Sequence, residues 1–195
     1  MTLNEYLEQS RDEEAPRGTV GRESEWMTVA TLTVKSGRLW IGDPQFSWAE
    51  ANEGEGCVVD VPPGEYQVEA KGVDFAGVRV VRSVRAYLSG SAELVQGAEV
   101  DEAGTDSGQI GLADQPELKA SFDVACGDDV DAALDMLEEG VDGPVGVFEP
   151  VAGGSGKVVF LPSGFGDGGG PVIELQSDAA RVGIEHAFFA PDEPY

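Results

Sequence analysis

The chain has 195 residues, a mass of 20.5 kDa and 41% apolar residues, enough for one domain with a buried core. Twelve basic residues against 37 acidic ones leave a net charge of −25, which repels nucleic-acid backbones and anionic membranes; neither is expected as a partner. One histidine, His186, and two cysteines, Cys57 and Cys126, argue against a histidine-rich metal centre, a Ser-His-Asp triad and a disulfide scaffold, so no metal or cofactor is expected.

Taken in chain order, residues 2–9 have the capping-box spacing Thr2-Leu3-Asn4-Glu5, with Leu3, Tyr6 and Leu7 on one helical face. Residues 10–25 are polar and carry Pro16, Gly18 and Gly21, so residues 1–25 are expected to form an N-terminal helix and a flexible linker that docks lightly. Residues 26–195 are expected to form a single β-rich domain. From Trp26 the period changes to two and β-branched residues dominate, which predicts a strand to Lys35, a turn at Ser36-Gly37 and a second strand over Arg38–Ile41. Pro62-Pro63-Gly64 predicts a turn between strands Cys57–Val61 and Tyr66–Lys71, because proline presets φ and glycine supplies a positive one. Val78–Leu88 is the longest alternating run. Asp128 or Asp129 caps a helix over 128–139, with Val130, Ala133, Leu134 and Leu137 as its buried stripe. Strands resume at Val145–Phe148, Lys157–Leu161, Val172–Leu175 and Val182–Phe189. The expected fold is mostly β: an antiparallel sandwich or roll with a short N-terminal helix and one internal helix. No repeat of fixed period is visible.

Three segments concentrate glycine with aspartate or serine: Ser36–Pro44, Asp101–Asp114 and Ser163–Val172. In this order, and with the Pro63-Gly64-Glu65-Tyr66-Gln67-Val68 turn between the first two, they resemble an uncharacterised family of bacterial and phage-associated proteins, a domain of unknown function. Its motifs run G-x-L-x-x-x-D-P, P-x-G-x-Y-x-V, D-S-G-Q-x-x-x-x-D and S-G-x-G-D-G-x-Y-P-V. The resemblance covers about residues 30–190 and departs at the last motif, where Gly169-Gly170 precedes Pro171 in place of the usual small–aromatic pair. It implies membership and fold, and brings no enzymology with it.

Asp-Gly and Ser-Gly pairs close tight turns through left-handed conformations and side-chain-to-backbone hydrogen bonds, which accounts for these segments without a ligand. In that reading Asp106 and Asp167 hold their own turns. The competing reading gathers Asp43, Asp106, Ser107, Asp114, Ser163 and Asp167 at one end of the sandwich, as oxygen donors for a divalent cation or a substrate. A third uses Trp40, Phe46 and Trp48 as an aromatic wall for a small molecule or sugar. Gly153-Gly154-Ser155-Gly156-Lys157 lacks the first glycine of a phosphate loop and has Val158 where Ser or Thr is required, so a hairpin turn is expected there. His186 lies on a strand facing away from Glu185, and Arg79 and Arg85 share a strand face where acids would pair with them.

The N-terminus has no apolar run of signal-peptide type, and a cytoplasmic bacterial protein with two free thiols is expected. The leading function is a non-catalytic binding or interaction protein of immunity or regulatory type, with a basic protein as partner. The alternative is a metal-dependent hydrolase or small-molecule binder using the Asp/Gly loops. Whether the protein is an enzyme stays open at this point.

Overall fold

The computed structural model describes residues 1–9, 20–46, 56–75, 78–141, 143–163 and 168–188. The chain is a mostly β, antiparallel two-sheet sandwich with a helical layer on one side. Helix α1 (Leu3–Glu8) begins at the expected capping box: the Glu5 amide donates to the Thr2 hydroxyl and the Thr2 amide to the Glu5 carboxylate. The strands are β1 (Val20–Glu23), β2 (Met27–Val34), β3 (Arg38–Gly42), β4 (Gly56–Asp60), β5 (Gly64–Phe75), β6 (Val78–Leu88), β7 (Val95–Thr105), β8 (Gln109–Asp114), β9 (Gly146–Phe148), β10 (Val158–Pro162), β11 (Gly168–Ser177) and β12 (Ala180–Ala187). Between β8 and β9 lie α2 (Gln115–Cys126) and α3 (Val130–Gly140), and a single 3-10 turn, Pro44–Phe46, follows β3.

The larger sheet runs β1-β5-β6-β12-β11-β7, with β2 alongside β5, and the smaller runs β4-β3-β8-β10-β9. The chain crosses from the larger sheet to the smaller at two tight corners, β2 to β3 and β7 to β8. Leu32, Leu39, Ile41, Tyr66, Ile110 and Leu112 are among the fully buried side chains packed between the sheets. The smaller sheet is covered on both faces. Val159 and Leu161 point into the inter-sheet core, while Val158 and Phe160 meet Trp40, Leu118, Phe122 and Leu137 beneath the helices. That double burial is why β3 and β10 read as continuous apolar runs rather than alternating ones.

Three differences from the sequence reading have local causes. The expected linker ends early, because Val20–Glu23 pairs with Val73–Phe75 of β5. Helix α1 is not lightly docked: Leu3 and Tyr6 are 1% and 5% exposed within the inter-sheet core, and the Tyr6 ring occupies the space above Gly72 that a Cβ would need. A second internal helix, α2, packs Leu118, Ser121 and Phe122 inward. The rest of the expected linker, residues 10–19, lies outside the described residues.

Strand β7 is the outermost strand on one side of the larger sheet. It exposes Glu99, Asp101 and Glu102, and its ladder with β11 is interrupted by two bulges.

Candidate functional site

The six candidate residues do not form one cluster. They divide between the two corners, which stand at opposite ends of the β3–β8 ladder, where Leu39 opposes Asp114 at one end and Gly42 opposes Gly111 at the other.

At the first corner Asp43 follows β3 and is fully buried. Its Oδ2 accepts the Thr105 hydroxyl at 2.9 Å, the Asp106 amide at 2.9 Å and the Ser107 amide at 2.7 Å. Its Oδ1 accepts the Ser107 hydroxyl and the Gln45 amide, both at 2.9 Å. Five donors converge on one carboxylate, so its charge is balanced by hydrogen bonds in a site closed to water. The turn Asp106-Ser107-Gly108 is therefore held from outside, by an aspartate more than 60 residues upstream. The carboxylate of Asp106, expected to hold this turn, is on an exposed residue, and the contribution of Asp106 is its backbone N–H. Ser163 is buried beside the same turn, and its amide donates to the Gly108 carbonyl at 2.9 Å. Asp167 lies outside the described residues; Gly168, which follows it, opposes Thr105 in the ladder.

At the second corner Asp114, 1% exposed, accepts the Lys35 amide at 2.6 Å and the Ser36 amide at 2.9 Å on Oδ2, and the Ser36 hydroxyl at 2.5 Å on Oδ1. It precedes α2 without capping it, because its side chain is committed to the turn. Asp129, by contrast, caps α3 as expected, accepting the Ala132 amide at 3.1 Å.

A cation at Asp43 would have to displace donors already in place. Among the described residues no three His, Cys, Asp or Glu side chains lie grouped for a metal. The aromatic wall is not assembled as expected either. Trp40 is 2% exposed and lies in the core beneath the helices, with its indole against Gly111. Trp48 and the Phe46 side chain lie outside the described residues. The Gly153–Lys157 segment is the connection of the β9–β10 hairpin, with Gly153 at φ +72°.

His186 is fully buried on the inter-sheet face of β12, opposite Val84 and Val172. Its Nδ1 lies 3.2 Å from the Pro171 carbonyl, the Phe188 ring packs edge-on at 4.8 Å, and Nε2 has no hydrogen-bond partner. Burial disfavours the imidazolium and lowers its pKa to about 4, against a smaller opposing effect of the Pro171 carbonyl. The imidazole is therefore neutral near pH 7.

The outer face of the larger sheet carries a group that the sequence reading did not assemble. The Arg85 guanidinium lies 4.0 Å from the Trp26 ring centre and 5.2 Å from that of Tyr87, and donates through Nε and an Nη to Glu69 Oε2 at 2.9 and 2.6 Å. Tyr87 donates to the other Glu69 oxygen at 3.1 Å. The available signal was the alternation itself, which places Glu69 and Arg85 directly opposite each other across β5 and β6. Arg79, expected on the same face as Arg85, instead lies over Tyr6 and bonds Gln9, because a bulge between Lys71 and Gly72 breaks the alternation.

Comparison with protein-family models, with curated proteins and with solved structures found no match to the chain. Among the described residues no helix is long and apolar enough to cross a membrane.

Proposed function

We propose that this is a non-catalytic binding protein of immunity or regulatory type, acting in the cytoplasm on a basic protein partner. The observation that carries the reading is how the charge is distributed. Of twelve basic residues, six are engaged with the chain's own acids: Lys35 with Glu117, Lys71 and Arg82 with Glu23, Arg85 with Glu69, Lys119 with Asp123, and Arg181 with Glu174. The large remaining excess of carboxylates is left to face a partner, where it steers association with a positively charged surface. The two most buried candidate aspartates support the same reading, since their oxygens are taken up by turn donors. The immunity-type part of the proposal rests on the motif resemblance.

The test is capture on immobilised protein from lysate of the source cells at low and high salt, followed by binding kinetics with the purified partner. A basic partner is expected, with an association rate that falls by about an order of magnitude or more as the Debye length shrinks from about 10 Å at 0.1 M to about 3 Å at 1 M. An acidic partner, or an association rate indifferent to salt, refutes the proposal.

A further inference from the structure

We infer that residues 27–88 and 95–187 are two copies of one structural unit, fused in tandem and related by a local two-fold axis. In each copy a strand of the larger sheet, β2 or β7, turns through a Ser-Gly corner into a central strand of the smaller sheet, β3 or β8. An aspartate closes that strand, a proline follows within two residues (Pro44; Pro116), and a further strand of the smaller sheet, β4 or β10, comes next. An antiparallel hairpin, β5–β6 or β11–β12, completes the unit in the larger sheet. The sheet orders accordingly read the same from both ends, β2-β5-β6-β12-β11-β7 and β4-β3-β8-β10.

The correspondence extends to individual atoms. Ser36-Gly37 matches Ser107-Gly108 and Asp43 matches Asp114 at one constant displacement. Gly37 and Gly108 have φ of +76° and +73°. Each aspartate takes the same two amides on Oδ2 and the same serine hydroxyl on Oδ1: Lys35, Ser36 and Ser36 for Asp114, and Asp106, Ser107 and Ser107 for Asp43. The corner-glycine carbonyls accept equivalent amides, Val61 at 2.8 Å and Ser163 at 2.9 Å. The last residue of each first strand opposes the glycine that opens the hairpin, Val34 with Gly64 and Thr105 with Gly168. The two-fold axis passes between the paired residues Ile41 and Leu112 in the smaller sheet and between Arg85 and Glu185 in the larger. Two unrelated halves that merely shared a topology would have no reason to place the same donors on the same oxygens.

The symmetry assigns a role to each difference between the copies. Helices α2 and α3 and strand β9 are an insertion between β8 and β10, where the first copy has the Pro44–Phe46 turn and residues outside the described set. Helix α1 and β1 are an N-terminal addition. Gly170 stands where the first copy has Tyr66, the position at which the last motif lacks its aromatic residue. Because each aspartate holds the other copy's corner, the halves are cross-latched and neither closes its own corner alone.

The test cuts the full-length protein between the copies, at a protease site inserted in the turn after β6, where Gly90 has open space around it. The cut protein is expected to remain one particle in native mass spectrometry and to reassemble from its two pieces when urea is diluted out. Ser36→Ala and Ser107→Ala, introduced separately, are expected to weaken that reassembly by similar factors, each on the order of tenfold, since each removes a hydrogen bond to a buried carboxylate. Separation of the pieces without denaturant overturns the inference, as does a cut protein in which one serine is dispensable and the other essential.

Discussion

Replacing Asp43 by asparagine removes the charge at the first corner while keeping its shape. An asparagine oxygen placed at Oδ2 keeps the three donors there, from Thr105, Asp106 and Ser107, but as bonds to a neutral acceptor. Its NH2 then faces the Gln45 amide and the Ser107 hydroxyl at Oδ1; the hydroxyl can turn to accept, and the amide cannot. Hydrogen bonds to a charged group are worth about 1.5–3 kcal/mol each against about 1 for neutral ones, and a buried unpaired amide costs about 1–3. Allowing for relaxation, Asp43→Asn should destabilise the protein by roughly 2–4 kcal/mol, or about 4–16 °C in Tm for a chain of this size. Asp43→Ala, which strands all five donors, should cost more, and Asp106→Ala, on an exposed residue, less than about 0.5 kcal/mol. The assay is urea and thermal denaturation of wild type and the three variants, with and without EDTA. A near-neutral Asp43→Asn would refute the hydrogen-bonded latch. A wild-type Tm lowered by EDTA, with Asp43→Asn indifferent to it, would replace the latch with a cation site.

His186 is the only histidine, so its ring proton signal is unique in the NMR spectrum; its midpoint is expected near pH 4, and one above 6 would show that the ring is not buried as described. Its folded-state pKa lies below the ordinary 6.5, so the unfolded chain takes up the proton first. The stability this gives is intact above about 6.5 and is lost as pH falls towards 4, reaching about 3 kcal/mol, a component His186→Leu removes. Both cysteines are free, and burial pushes the Cys57 thiol up to about 12, so one thiol, Cys126, is expected to react with a disulfide reagent in native protein and two in urea. Leu3→Ala should cost about 2–5 kcal/mol, measured by urea denaturation, and an unchanged midpoint would mean that α1 is dispensable.

The β architecture was legible because most strands alternate and are punctuated by turn chemistry that acts locally. Pro62-Pro63-Gly64 and the Asp129 cap each declare themselves within a few residues. Strand β7 was not legible: at an outer position it needs no continuous apolar face, and its acids and glycines read as loop. Helix α2 was hidden because Gln115 and Pro116 follow a strand directly, so its start looked like the end of the glycine-rich segment. The candidate residues were the right ones to single out for structural weight, yet their partners were invisible, since the latch joins Asp43 to a turn more than 60 residues away. The duplication escaped for a related reason. The inserted helices shift the second half of one copy relative to the other, so no single period relates them.

The outermost strand β7 shows what happens when this protein loses its charge. A sheet rim presents unpaired backbone groups to any neighbour, and here repulsion from Glu99, Asp101 and Glu102, with two bulges, is what keeps a second rim from zipping onto it. The same carboxylates that keep the molecule dispersed at neutral pH thus set the acidity at which it stacks. Near the carboxylate pKa the rim becomes nearly neutral, and only its distorted backbone stands between a soluble monomer and an extended intermolecular sheet.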